Sequence, residues 1–487
     1  MEIKRALISG LRWSSVSSFG MTLFQILQIS ILTRFLPKEA FGLVAMTLFV
    51  VNLTNIFVDM GLNAAILHRN NATAEEYSSI YWLNLFFAVV FYGLLCILAP
   101  FFADFYYEPL LKDLIPLLGV NILLIAFGRQ HFSQLQKQMR FKAIAQIELI
   151  AFIVGLAIAV LMAISGEGVY SLVVSTLVVS AIANVSFFVI NSKQFPLKFY
   201  FSMPLSMPYV KIGAYNMGSN FMDFISRETD ILIIGRIMGA ETLGVYSLAK
   251  QLVLKLYGIL NNIAINVLNP MMAGVQHNAL KMHEYTYRSM RLIASVIIPV
   301  NLIFVLLARE ILHIMYGPTY VAGSWVVIFL SLGLVCQAIT NPAGSLQIAT
   351  GQTNIGFKWS VLKAIVSTSI ILVLAPFGVN ILSLGIGVLG LIFLIPMWYM
   401  QFKKMISMKL VKFLNAFIIP LIAFLIVILF NVIFLHFNDL QVIVWWETGI
   451  RLLAGVTVFI SVWLIFDKGG VIEILRVVKS AKLKWLK

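Results

Sequence analysis

Three ionisable side chains, Asp223, Arg227 and Asp230, stand at i, i+4 and i+7 within an otherwise apolar stretch. A helix places all three on one face and turns Glu228 about 100° away. Lys250 and Lys255 follow in the next apolar stretch. A charge at mid-bilayer costs about 2.5–3.5 kcal/mol on insertion scales, so such groups face a cavity or a partner. Between the two stretches the chain turns at Gly239, twelve residues after Arg227 and eleven before Lys250. At ~1.5 Å per residue the two cations then lie at similar depth. A planar guanidinium fork beside a mobile ammonium suits a concentrated anion such as a pyrophosphate. Arg227 and Lys250 are the leading anion-binding candidates, and Lys255 joins them or snorkels to the nearer surface. The competing reading is structural: Asp223, Arg227 and Asp230 neutralise one another as a ladder along one helix.

Among the carboxylates, Asp230 is the first candidate to carry a coupling proton or sodium ion, followed by Asp223, Asp59 and Glu148. The last two sit near helix ends, where solvation or pairing, for instance of Glu148 with Lys142 or Arg140, accounts for them equally. Asn261 and Asn262, with Asn266 and Asn269 before Pro270, either line a cavity and hydrogen-bond sugar hydroxyls or hold helices together. Pro299 and Pro342 are expected to break helices near the midplane. Cys96 and Cys336 fall in apolar runs and read as small buried hydrophobes. The stretch GQTNIGFK from Gly351 to Lys358 lacks the adjacent Gly-Lys-Ser/Thr of a nucleotide-binding loop, and HExxH, paired CxxC and GxSxG are missing. No metal or organic cofactor and no enzymatic activity are expected.

The elements that must position these groups are membrane spans. Hydrophobic residues make up 61% of the 487 and charged residues 11%, against roughly a quarter charged in ordinary globular chains; mean hydropathy is +0.96. Stretches long enough for ~30 Å of hydrocarbon lie near 13–36, 41–66, 80–102, 110–128, 143–164, 169–191, 209–237, 242–267, 290–308, 322–348, 357–376, 380–402, 413–435 and 447–466, which predicts about fourteen transmembrane helices. The first, preceded by Lys4, Arg5 and Arg12, is too long for a secretory leader and lacks its small-residue cleavage site. The net charge of +15 is spread over short clusters between apolar runs rather than one basic face, which argues against nucleic acid.

Of the 35 Lys and Arg, all but nine fall on one side of this threading. Arg34, Lys38, Lys112, Arg236, Arg309 and Arg451 fall on the other, and Arg227, Lys250 and Lys255 lie within spans. The positive-inside rule makes both termini cytoplasmic. Every outward loop is short, with His313 and His436 the outer histidines, so a membrane-embedded glycan polymerase or ligase has no room for its catalytic part. The tail from Lys468 to Lys487 mixes six basic residues with apolar ones and Trp485, as an amphipathic anchor on an anionic leaflet does.

The sequence also repeats. RFLPKEAFGLVA from Arg34 to Ala45 recurs as RIMGAETLGVYS from Arg236 to Ser247, with Arg34, Glu39 and Gly42 matching Arg236, Glu241 and Gly244 at a constant offset of 202. Six spans separate the copies, so two halves insert the same way up and relate by an axis along the membrane normal. The expected organisation is a six-helix lobe over 1–205, a second over 206–405, two additional helices over 406–466 and a basic tail over 467–487.

The RFLPKEAFGL hairpin, GLNAAIL from Gly61, QKQMRFKAIAQIEL from Gln136 to Leu149 and the two-half plan together resemble the polysaccharide transporters, the Wzx-like branch of the multidrug/oligosaccharidyl-lipid/polysaccharide exporter superfamily. The resemblance covers essentially the whole chain. It implies a V-shaped all-α transporter of two pseudo-two-fold related six-helix bundles plus two C-terminal helices. It also implies a function: moving undecaprenyl-pyrophosphate-linked oligosaccharides from the cytoplasmic to the outer leaflet of the bacterial inner membrane for lipopolysaccharide or exopolysaccharide assembly. Glycan polymerase and chain-length proteins are the implied partners beside the lipid bilayer. The family's cavity is cationic at varying positions, so only Arg227 and Lys250 suggest themselves here. The rival from the same superfamily is an ion-coupled multidrug extruder, whose cation pocket should favour acidic and aromatic residues over Arg227, Lys250 and Lys255.

Overall fold

The computed structural model describes residues 20–59, 73–192, 197–275, 278–437 and 445–466. Every regular element among them is helical. That follows from the medium: with no water to receive amides and carbonyls, an apolar run must satisfy its backbone internally. The helices are α1 (Gly20–Leu32), then α2 (Lys38–Asp59), α3 (Ala74–Tyr106), α4 (Leu111–Lys137), α5 (Phe141–Ile164), α6 (Tyr170–Ser192) and α7 (Met203–Ala273). They continue with α8 (Ala279–Leu306), α9 (Ala308–Tyr316), α10 (Ser324–Thr340), α11 (Pro342–Thr350), α12 (Thr353–Leu374), α13 (Val379–Ile392), α14 (Leu410–Asn415), α15 (Ile418–Phe437) and α16 (Trp445–Phe466).

Twelve helical segments among the described residues are long and apolar enough to cross a bilayer. The expected fourteen is not reached: α1 is shorter as described, and Met217–Gly258 runs as one segment although its backbone leaves helical geometry at Gly239, φ +80°. The conformation there is one that glycine adopts without steric cost, and the turn falls where the sequence predicts it. Pro342 breaks its helix as expected, α10 ending at Thr340 and α11 beginning at Pro342. Pro299 does not; it stays inside α8. GLNAAIL and the basic tail lie outside the described residues.

The chain contacts group into two units. Unit 1 comprises Met1–Ser247 with Lys363–Thr368, and unit 2 Leu248–Leu362 with Ser369–Lys487. In unit 1, α4 packs against α3, α6 and α2. A Cβ on Gly128 would lie 2.5 Å from Asn184, and one on Gly155 2.2 Å from Val179, so small residues set the close approach of α4 and α5 to α6. In unit 2, α10 and α13 meet through Gly333, Gly387 and Gly390, with a Cβ on Gly387 only 2.3 Å from the Phe329 carbonyl. Cys336 is buried and Cys96 half-buried, both as thiols. Large apolar side chains are exposed along α3 and α5, among them Phe86, Ile97, Phe101, Ile150 and Leu161, as on a lipid-facing surface.

The repeated hairpins meet within unit 1. A Cβ on Gly42 would lie 1.9 Å from the Ala240 carbonyl oxygen, and one on Gly244 2.0 Å from that of Lys38. Adding 202 to Lys38 and Gly42 gives Ala240 and Gly244, so the contact is reciprocal: each copy's glycine receives the first residue of the other copy's helix. Lys38 Nζ also reaches Glu241, 3.1 Å away. The two matched glycines are therefore places where two backbones cross with no side chain between them.

Candidate functional site

The acidic members of the predicted face have partners that the helical spacing alone does not reveal. Asp230 is buried; it accepts a very short hydrogen bond from the Tyr246 hydroxyl and one of 2.8 Å from the Ile231 amide. Tyr246 lies seven residues past Gly239 and Asp230 nine before it, so the depth argument that pairs Arg227 with Lys250 pairs these two as well. Asp223 forms a 2.9 Å ion pair with Lys363 of α12, and one turn away Ser226 meets Ser367 at 3.4 Å. Lys363, inside the predicted span near 357–376 but not singled out there, stands ten residues inside α12, in a segment apolar enough to cross the bilayer. Its neighbours on both sides are apolar, and this is the signal that could have added it to the charges read within spans.

The cations divide between the units. Arg227, exposed, belongs to unit 1, while Lys250, buried, and Lys255, half-buried, belong to unit 2. Lys250 and Arg227 each interact with a neighbour. Asp59 and Glu148 are half-buried and likewise engaged. Asn261 accepts from the Asn341 amide, and Asn341 in turn accepts from the Tyr257 hydroxyl at 3.1 Å, which gathers three polar side chains at the break between α10 and α11. The side chain of Asn262 lies outside the described residues.

Two further groups were not legible as site residues. Glu310 of α9 is buried against Arg451 of α16 and accepts from the Thr448 hydroxyl at 2.6 Å; Arg309 beside it is buried too. Asn431 of α15 donates to the Val305 carbonyl at 3.2 Å, so α15 and α16 are stitched into unit 2 rather than appended to it. Glu108, between α3 and α4, receives the Ala240 amide, and burial together with the nearby Glu39 carboxylate raises its pKa above the ordinary value.

Apolar helical spans with buried charges and a helix broken at Pro342, among the described residues, have the build of a membrane transporter. The solved structure titled "Lipid II flippase MurJ, inward closed conformation" has the same fold: it covers 94% of this chain and 99% of its own, with TM-score 0.73 at 15% identity. Sequence places the chain more narrowly. The model of a family described as "Polysaccharide biosynthesis protein" matches residues 31–325, and the chain belongs to that family. Among relatives, the teichuronic acid biosynthesis protein TuaB of Bacillus subtilis (strain 168) is 26% identical over 361 residues, 74% of each chain. The lipopolysaccharide biosynthesis protein WzxC of Escherichia coli (strain K12) is 25% identical over 368 residues, again 74% of each.

Proposed function

We propose that this chain is a flippase for undecaprenyl-pyrophosphate-linked oligosaccharides, carrying them from the cytoplasmic to the outer leaflet of the bacterial inner membrane, with both termini cytoplasmic. The observation that carries the reading is the combination of membership in a polysaccharide-biosynthesis family with a fold shared end to end with a lipid flippase. Arg227 and Lys250 draw the pyrophosphate inward, and Lys255 adds charge nearer the cytoplasmic edge. Asn261 and Asn262 hydrogen-bond sugar hydroxyls, and the prenyl tail stays in lipid. The two six-helix lobes, 1–205 and 206–405, rock about the bound head group in alternating access.

Coupling to H⁺ or Na⁺ falls first to Asp230, whose bond from Tyr246 gives it a state to switch out of, then to Asp223, Asp59 and Glu148. An inside-negative potential favours outward movement of a bare negative charge by ~2.3 kcal/mol per 100 mV, a gain reversed if the empty carrier returns with its cations exposed. The exported glycan then passes to polymerase and chain-length partners.

The test is leaflet transfer of a fluorescent undecaprenyl-pyrophosphate sugar in proteoliposomes. Transfer by wild type, with loss in both Arg227→Ala and Lys250→Ala proteins that insert normally, supports the reading and the site. Transfer by wild type and both variants alike keeps the flippase and discards the site. Movement of organic cations without the lipid replaces the reading by multidrug extrusion.

A further inference from the structure

Within unit 2, the start of α8 lies against the segment 398–415, which includes α14: the turn Lys404–Ile406 packs on α8, and Lys412 touches His283. Lys403, Lys404, Lys409 and Lys412 of that segment are exposed, and among the described residues none of them pairs with a carboxylate. Aromatic rings and an imidazole hold three of them instead. Lys403 Nζ lies 5.4 Å from the centroid of the Trp398 ring and 4.9 Å from that of Tyr399, and Lys404 Nζ lies 5.8 Å from Tyr399. Lys412 Nζ lies 5.6 Å from the Tyr287 ring of α8 and 3.1 Å from His283 Nδ1. The carboxylate beside that histidine, Glu284, is taken by Arg288 at 2.6 Å.

The backbone places these lysines. Trp398–Lys403 forms a π-helical turn, in which the hydrogen bond runs to the fifth residue. In an α-helix Tyr399 would face Lys403, four residues on, and not Lys404; the wider turn brings both over one ring. The chain leaves the helix at Ser407, φ +53°, and Trp398 Nε1 closes the loop by donating to the Met408 carbonyl at 2.8 Å. A lysine held on a ring keeps its charge and its ammonium protons for a further partner, whereas one in an ion pair is neutralised. The ammonium of Lys412 has only protons to give, so His283 Nδ1 accepts and Nε2 carries the ring proton. Two ammonium N–H groups and an imidazole N–H are then left for an anion with several acceptor oxygens.

We propose that this patch binds the phosphate of a membrane lipid, with Lys403, Lys404, Lys412 and His283 as its donors. A phosphate is compact and accepts several charge-assisted hydrogen bonds. In a lipid it is held at the interface, the depth at which spans end and Trp and Tyr gather. Basic residues at the end of a span are by themselves only a signal of sidedness. Here rings and an imidazole from two separate segments hold the ammonium groups, and no carboxylate among the described residues neutralises them. A phospholipid diester and a polyprenyl pyrophosphate share this chemistry. Assignment to the cytoplasmic leaflet, and any part in collecting substrate for export, rest on the flippase reading; the binding of a lipid phosphate does not.

Binding of a fluorescent short-chain phosphatidylglycerol to the full-length protein in mild detergent tests the site. Wild type should bind it saturably, and Lys412→Gln, like Lys403→Gln with Lys404→Gln, should weaken binding about fivefold or more. Lys358→Gln removes the same charge from an exposed position in α12, on the same side of the threading, and should bind as wild type. Tyr399→Leu changes no charge, yet should also weaken binding because it releases two lysines. No saturable binding, or equal weakening by Lys358→Gln and Lys412→Gln, overturns the site. Competition then separates the sources. Displacement of the probe by undecaprenyl pyrophosphate at lower concentration than by unlabelled phosphatidylglycerol assigns the site to the polyprenyl lipid, and the reverse order assigns it to phospholipid; inorganic pyrophosphate competing as well as either lipid overturns the lipid assignment. In the transfer assay, a wild type that moves no lipid sinks the flippase reading and leaves the binding results to stand.

Discussion

At the scale of single residues, the buried carboxylates show how much a partner matters. Asp230 is held by Tyr246 and by the Ile231 amide. Tyr246→Phe removes one donor and leaves a buried acceptor short, at a cost of about 1–3 kcal/mol; we expect a lower melting temperature on fluorescence-detected gel filtration with the fold kept. Glu108 provides the pH-dependent case. Its pKa is raised by burial and by Glu39, so the folded chain holds that proton more tightly than the unfolded one. The stability it contributes is therefore full below the ordinary carboxylate value and lost as pH rises through the folded value. Glu108→Gln should flatten that part of the stability profile in the acidic range, and an unchanged profile would show that the group is not the source.

At the scale of elements, the helix crossings are set where side chains are missing. Gly42 and Gly244 meet carbonyl oxygens at distances no Cβ tolerates, so Gly42→Ala should force α2 off its partner at a cost of about 1–3 kcal/mol. Gly93→Ala, where nothing lies within 4 Å, is the control and should melt as wild type. The pair between Glu310 and Arg451 ties α9 to α16 with both side chains buried. Arg451→Ala strands a buried carboxylate and should cost about 3–5 kcal/mol. Replacing both by apolar residues, Glu310→Leu with Arg451→Met, should recover much of the loss in the same melting assay.

At the scale of the whole molecule, the question is what the charges in the spans are for. The proposed anion site rests on Arg227 and Lys250, two cations that the sequence sets at similar depth on either side of Gly239. In the transfer assay, reversing one of them with Arg227→Glu should abolish transfer, a larger effect than Arg227→Ala, because a negative charge at that depth repels the pyrophosphate as well as failing to bind it. A Glu variant that transfers as fast as wild type would remove Arg227 from the substrate path.

Hydrophobic run length by itself determined the all-helical membrane class, the placement of most spans and the turn at Gly239, because hydrocarbon leaves the backbone no alternative. The offset of 202 between the hairpins was also legible, and it located the two glycines before their contact was known. Partner choice was not legible. That Asp223 would meet Lys363, Asp230 Tyr246 and Glu310 Arg451 depends on which helix faces lie together, and periodicity along one helix carries no information about its neighbour. Only the tertiary structure decides whether a polar atom inside a membrane protein has found a partner.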